Sequence, residues 1–134
     1  MAGTTLKLEV ITPEKVALRD ESTSIIIPGI DGTLGIWPNH APLLAGLKPG
    51  AVTYKSGNGD KVLAVAGGFI EVANNTVTII APAAELASDI DVARAQAAKQ
   101  RAEDRLAKKE VGIDVARAEA ALARAIARLK VAGK

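Results

Sequence analysis

Arginine is the residue type whose spacing in this chain most suggests chemistry. Arg94 and Arg101 stand seven apart, and Arg117, Arg124 and Arg128 follow at spacings of seven and four, so on helices each set shares one face. Around them the string IDVARA occurs twice, at 90–95 and at 113–118. Its aspartates, Asp91 and Asp114, sit where helices would begin, and a carboxylate there accepts orphan backbone N–H bonds for roughly 0.5–2 kcal/mol. If the two helices fold back antiparallel, Arg124 and Arg128 come alongside the start of the first helix, near Asp91 and Arg94. Three or four guanidiniums then converge, which suits polyphosphate because each offers a planar fork of donors. The alternative is pairing within each helix to Glu103, Asp104 or Glu119, worth about 0.3–0.5 kcal/mol a pair. Periodicity alone leaves both open.

Other chemistry finds little material. The chain has no cysteine, which removes a thiol nucleophile, a Cys-based zinc site and a redox switch. His40 is the only histidine, so a Ser-His-Asp centre would have to be built on it and a metal site would rest on carboxylates. We expect no catalytic residue and no metal ligand in this chain. Trp37, Tyr54 and Phe69 all precede the basic region, so no stacking platform for single-stranded nucleic acid is expected. The net charge of +2 is unevenly placed: residues 1–84 carry six basic and seven acidic groups (net −1), residues 85–134 eleven and eight (net +3). Attraction for anions belongs to the C-terminal segment. MAGTTLKLEV has no basic and then apolar leader, and no run of about 18 apolar residues occurs, so a soluble, unprocessed chain is expected.

The elements that must hold these arginines follow from two hydrophobic periods. In TLKLEVI, Leu6, Leu8 and Val10 alternate with Lys7 and Glu9, the pattern of a half-buried strand. KVAL, TSIII, TLGIW, AVTYKS, KVLAVAG, GFIEVA and TVTIIA follow, separated by Pro28-Gly29, Asp31-Gly32, the segment 56–60 and Asn74-Asn75. Turns this frequent between short β-branched stretches indicate an antiparallel sandwich or barrel. Asp31-Gly32 and Asn58-Gly59 can supply the positive φ angles of tight hairpins. Gly67-Gly68 interrupts a strand pair with no helix start behind it, so a bulge or close backbone approach is expected there rather than a phosphate loop. After Pro82 the period becomes helical. Ser88 or Asp89 can cap a first helix with an inner stripe of Val92, Ala95, Ala98 or Ala102, and Leu106. Asp114 starts a second with Val115, Ala118, Leu122, Ile126 and Leu129. Each helix is expected to be about 18 to 20 residues long, on the order of 30 Å. Its alanine-rich seam allows close approach but buries little apolar area, so the hairpin is a candidate moving part.

The stretch IPGIDGTLGIWPNHAPLLAGLKPG (27–50), followed by AVAGGFIEV and IDVARA, resembles the ε-subunit family of F-type ATP synthases over nearly the whole chain. The resemblance implies an α+β fold: an N-terminal antiparallel β-sandwich of about ten strands over 1–84, then an α-helical hairpin over 85–134. It implies a non-catalytic rotor subunit whose β domain binds the γ subunit and rests on the ring of c subunits, with Asp31, Gly32 and Thr33 at the ring and His40 toward γ. Trp37 stands where the family more often has a smaller aliphatic residue. A hydrogen-bonded, buried histidine remains the alternative for His40. The hairpin of such subunits has two arrangements: folded down on the sandwich, or extended along γ into the α/β catalytic hexamer, where it blocks ATP hydrolysis. In some members ATP, as a regulatory ligand rather than a required cofactor, holds the folded form through a motif that Ile90, Asp91, Arg94 and Ala95 match. Carried over, Glu85, Ile90, Asp91 and Ala95 would contact adenosine, and Arg94, Arg101, Arg124 and Arg128 the phosphates. The second IDVARA has no glutamate in the place of Glu85 and is expected to be a helix start only. The implied location is peripheral, on the cytoplasmic face of a bacterial plasma membrane. Two other readings stay open: the same subunit without meaningful ATP binding, and a free-standing β-sandwich interaction module with a helical tail.

Overall fold

The computed structural model describes residues 5–57, 59–108 and 112–133. Leu6, Leu8 and Val10 face inward from β1 (Leu6–Ile11), as their alternation requires. This strand pairs antiparallel with β2 (Val16–Ser22) and parallel with β7 (Thr76–Ile80), so the expectation of a purely antiparallel sandwich has one exception. The remaining strands are β3 (Ser24–Gly29), β4 (Gly32–Ile36), β5 (Leu43–Ser56), β6 (Gly59–Ala73) and β8 (Ala84–Leu86). They run in the order β2-β1-β7-β6-β5-β3-β4, with β8 also on β6.

Eight strands are described rather than about ten, and the reason lies in β5 and β6. β6 is one continuous strand of 15 residues where the sequence shows two stretches, KVLAVAG and GFIEVA, and β5 runs for 14 residues, well beyond AVTYKS. Their pairing keeps one register through the middle, Leu47 with Gly68 and then Pro49 with Ala66. The inward positions nonetheless change parity there, from Leu63 and Val65 to Ile70 and Val72 on β6. Gly67 (φ +91°) and Gly68 (φ +111°) absorb that change. A β-carbon on Gly68 would collide with the Ile80 carbonyl oxygen, so the structural role expected of this pair has a steric cause. Before the crease β6 pairs with β8, and beyond it with β7, so the long hairpin serves both layers.

Turn chemistry departs from expectation in detail. Pro28 and Gly29 are strand residues opposite Thr33 and Gly32, and only Gly32 of the Asp31-Gly32 pair has positive φ. In the β5–β6 turn the positive φ lies at Gly57 rather than Gly59, and Asn58 lies outside the described residues. Asn74 and Asn75 both take positive φ, as a two-residue turn between Ala73 and Thr76 demands.

The helices are α1 (Val92–Lys108) and α2 (Val115–Val131), 17 residues each and so about 25 Å long. Asp91, not Ser88 or Asp89, caps α1; Ala87–Asp89 form a separate 3-10 turn. The buried residues of α1 are Ala95 and Ala102. Those of α2 include Ala118, Ala125, Ala127, Leu129 and Val131, whereas Val115 and Ile126 of the expected stripe are exposed. The difference arises because α2 has two covered sides, one toward α1 and one toward β5 and β6, where Val131 joins Ala64 and Ile90.

One polar cluster ties β2 to the long hairpin. The Asp20 carboxylate accepts from the hydroxyls of Tyr54 (3.2 Å) and Ser56 (3.0 Å) and from the Lys61 ammonium (3.2 Å). Burial pushes the Asp20 carboxyl up, but these donors and the Glu21 N–H outweigh it and hold the group below its ordinary value. Burial and the adjacent Asp20 charge push the Tyr54 hydroxyl up to about 12.

Two predictions follow from these constraints. A depressed carboxyl contributes stability that is fully present above the unfolded-state value of about 3.9 and is lost as the pH falls through the folded value. Asp20→Asn should cost about 1 kcal/mol or less at neutral pH, because solvent screens this partly exposed cluster. In urea unfolding across a pH series its deficit against the parent should shrink below about pH 4, and a pH-independent deficit contradicts the cluster. Gly68→Ala should cost about 3 kcal/mol, since it combines positive φ with a backbone collision; an unchanged urea midpoint would mean that the crease tolerates a side chain.

Candidate functional site

At the backbone level the two IDVARA copies are alike. Asp91 Oδ1 accepts the Arg94 N–H at 3.0 Å, and Asp114 Oδ1 accepts the Arg117 N–H at 3.0 Å. Their surroundings differ. Ile90 is buried against Ala64 of β6 and Val131 of α2, so the first copy is anchored on the sandwich, whereas Ile113 is half-buried near the hairpin turn.

Arginines from both helices meet in one shallow cleft. Arg101 and Arg105 of α1 and Arg124 and Arg128 of α2 line a space of about 210 Å³ whose other walls are Ala98, Ala102, Ala121 and Ala125. Alanine is what makes this possible: short side chains leave the seam hollow, and the long arginines rim it. Arg124 and Arg128 also line a smaller space of about 20 Å³ against Ala64, Val65, Ala66, Ala83 and Glu85. Glu85 reaches it because β8 pairs with β6 through Ala64. Its carboxylate meets Arg128 Nε at 2.6 Å.

The alternative of pairing within each helix is taken up by other residues. Glu103 pairs with Lys99 at 3.9 Å, and Asp104 accepts from Gln100 at 2.9 Å. Among the described residues Arg101, Arg105 and Arg124 enter no ion pair. Four arginines lining one hollow, with Glu85 beside Arg128 in the adjoining space, can bind a polyanion by forked, charge-assisted hydrogen bonds. The convergence lies farther along α1 than the sequence suggested. Arg94 is exposed and lines neither space; Asp91 is exposed and capping; Ile90 and Ala95 are buried. Arg105 is the lining residue that sequence reasoning missed, although its spacing of four from Arg101 is the signal that finds it.

A second surface lies on the sandwich. Asp31, Gly32 and Thr33 are exposed at the β3–β4 turn. His40 is half-buried in the loop before β5, its Nδ1 2.6 Å from the Ala41 carbonyl oxygen, so an N–H at that position donates there. The loop is clasped to the β6–β7 turn by the Asn39 N–H, which donates to Asn75 Oδ1 at 2.6 Å. Nearby, Phe69 pairs with Ile80 and stands opposite Gly46, beside Ile30; Leu44 lies on the same face. Leu44 is 73% and Phe69 61% exposed, so this is an apolar strip on an outer sheet face. Trp37 is also exposed, its ring over Gly35. The sequence signal for the strip is the apolar doublets Leu43-Leu44, Phe69-Ile70 and Ile79-Ile80, since alternation turns one member of each outward.

Comparison with known proteins matches both halves of the chain. Residues 5–87 match the family model described as ATP synthase, Delta/Epsilon chain, beta-sandwich domain, and residues 88–133 match its long alpha-helix domain. The chain is 50% identical over 135 aligned positions to the ATP synthase epsilon chain of Syntrophomonas wolfei, covering 100% of this chain and 98% of that one. It is 49% identical to that of Pelotomaculum thermopropionicum, with 100% of both covered. Among solved structures, a chain of the Euglena gracilis mitochondrial ATP synthase superposes with a TM-score of 0.84 at 20% identity, covering 100% of this chain and 84% of that one. A chain of the Tetrahymena thermophila mitochondrial ATP synthase central stalk and c-ring gives 0.62 at 17%, covering 98% and 99%. At those identities the two structures bear on the fold alone.

The equal capping geometry generates a test. Asp91→Ala and Asp114→Ala should each cost about 1 kcal/mol of stability. Thermal unfolding of the two variants would read this, and a neutral Asp114→Ala would remove the second copy's role as a helix start.

Proposed function

The chain belongs to the ATP synthase delta/epsilon family and is an epsilon-type subunit of the central stalk, and on that premise we propose that its hairpin restrains ATP hydrolysis in an ATP-sensitive way. The observation that carries the reading is the cleft in which Arg101 and Arg105 of one helix face Arg124 and Arg128 of the other. Such a set exists only while the helices are folded against each other. A phosphate chain bridging them binds the folded form and not the extended one, and stabilises it by RT ln(1 + [ATP]/Kd). When ATP is scarce the hairpin extends along γ into the α/β hexamer, and its basic residues meet acidic groups there. ATP is thus a regulatory ligand and not a required cofactor. Of the residues assigned to it, Arg101, Arg124 and Arg128 line one space and Glu85 adjoins it through Arg128; Ile90, Asp91, Arg94 and Ala95 would have to be reached by a shift at the start of α1.

On the sandwich, the apolar strip of Leu44, Phe69 and Ile80 suits the γ subunit, and His40, in the loop before β5, is assigned to the same partner. The exposed turn of Asp31, Gly32 and Thr33 suits the polar loops of the c-ring. Among the described residues no helix is long and apolar enough to cross a membrane, which fits a peripheral place on the cytoplasmic face of a bacterial plasma membrane.

A second reading, the same subunit without meaningful ATP binding, is favoured by one observation: Ile90 and Ala95 are buried while Glu85 already occupies Arg128. Calorimetric titration separates the two. ATP should bind saturably, more tightly than ADP or tripolyphosphate, and Arg101→Ala or Arg124→Ala should weaken it by at least about tenfold, the equivalent of one charge-assisted contact. An absence of heat up to millimolar ATP would leave the hairpin governed by the rotor alone.

A further inference from the structure

Little apolar surface fastens the hairpin to the sandwich. The buried contact is Ile90 and Val131 on Ala64, with Ala51, Val62 and Ala132 partly covered around them. α1 packs on α2 rather than on the strands. Alanine at 51, 64 and 132 buries little area, so the apolar part of this contact rests mainly on Ile90, Val131 and Val62.

One ionic contact crosses the same boundary. Glu85 Oε1 lies 2.6 Å from Arg128 Nε, with side chains 28% and 35% exposed. The other described ion pairs stay within one half: Arg19 with Glu9, Lys61 with Asp20, and Lys99 with Glu103. The two partners are mounted differently. Glu85 sits on β8, its backbone fixed by pairing to Ala64, whereas Arg128 belongs to the last turns of the helix that would leave. We infer that the Glu85–Arg128 pair is a latch that keeps the hairpin on the sandwich when no ligand is bound. The inference rests on the reading that the hairpin has docked and released states, but not on ATP being its ligand.

The latch also bears on the cleft. Arg128 lines both the small space beside Glu85 and the arginine cleft between the helices. A carboxylate and an incoming phosphate therefore draw on the same guanidinium, so Glu85 acts as an internal anion that a ligand must displace or share. Docking without ligand depends on a charge pair between the two bodies. Docking with ligand is secured by a charge cluster between the two helices.

The experiment uses the full chain. It has no cysteine, so Glu14→Cys and Gln96→Cys, both at exposed positions, accept a dye pair that reports the distance between sandwich and α1. Without nucleotide, Glu85→Gln and Arg128→Gln should each raise the released population about fivefold, the upper range for a partly exposed pair. Exchanging the charges, Glu85→Arg with Arg128→Glu, should return it toward the parent value. Circular dichroism and thermal unfolding confirm that each variant is folded. A salt titration of the dye-labelled parent needs no change at the pair: release should increase between about 0.05 and 1 M salt as the screening length falls to about 3 Å. Populations that Glu85→Gln and Arg128→Gln leave unchanged overturn the latch, whatever the response to salt. Saturating ATP on the same labelled parent keeps the two readings apart. Release by salt with no response to ATP leaves the latch and removes ATP sensing, whereas a response to ATP with Glu85→Gln unchanged does the reverse.

Discussion

The fold turns on the close approach of Gly68 to the backbone of β7. No side chain fits between that α-carbon and the Ile80 carbonyl, so β6 can lie against β7 only with glycine there. Because the chain creases at this level, one long hairpin supplies inward-facing residues to both layers: Leu63 and Val65 before the crease, Ile70 and Val72 after it. The half that lies before the crease presents its other face outward, and there Ala51, Val62 and Ala64 form the ground on which α2 rests. The position of Glu85 is a further consequence, since β8 has an edge to join only where β7 no longer occupies it. A steric requirement at one glycine thus reaches the cleft through hydrogen-bonded strands.

The hairpin combines two residue types that serve opposite ends. Alanine gives close helix approach and a hollow seam with little adhesive area, and arginine gives long reach and permanent charge. A leucine seam would bury more surface and resist separation, and it would also fill the hollow that the guanidiniums rim. The same alanines therefore make the helices easy to part and leave room for something to bridge them. The sandwich encloses a core of Leu, Ile and Val side chains, while the helices meet each other largely through alanine and rest on the sheet through a small apolar cluster. This is the distribution expected where one body moves against another.

How much of this was legible in the sequence depends on the range of the forces involved. Local patterns carried the alternation of β1, the Asn74-Asn75 turn and the start of α2 at Asp114, because each is decided by neighbours along the chain, whereas the cap of α1 falls at Asp91 and not at Ser88 or Asp89. The count of ten strands came from the family resemblance; among the apolar stretches of the sequence, KVLAVAG and GFIEVA join into one strand, because the continuity of β6 across Gly67-Gly68 is set by pairing with β5. β8 escaped notice for a related reason, since three residues with no alternation become a strand only when an edge is offered. In the helices the expected stripe held at Ala95 and Ala102 of α1 and at Ala118 and Leu129 of α2, but not at Val115 and Ile126. Ile126 is exposed and Ala127 buried because α2 faces the sheet as well as its partner helix, and single-helix periodicity contains no second neighbour. Among the site residues, the convergence of arginines was foreseeable from spacing. Its displacement from Arg94 toward Arg105 reflects side-chain directions on packed helices.

The parallel pairing of β1 with β7 has a consequence in time. Lys7 pairs with Thr76, so the first strand made can find its second neighbour only after most of the sandwich has left the ribosome. Until then β1 has β2 on one side and an unsatisfied edge on the other, and closure requires contacts distant in sequence, which form slowly. The nascent chain thus carries an open edge through most of its own synthesis. The hairpin, composed last and from local contacts, arrives when the surface it rests on is already complete.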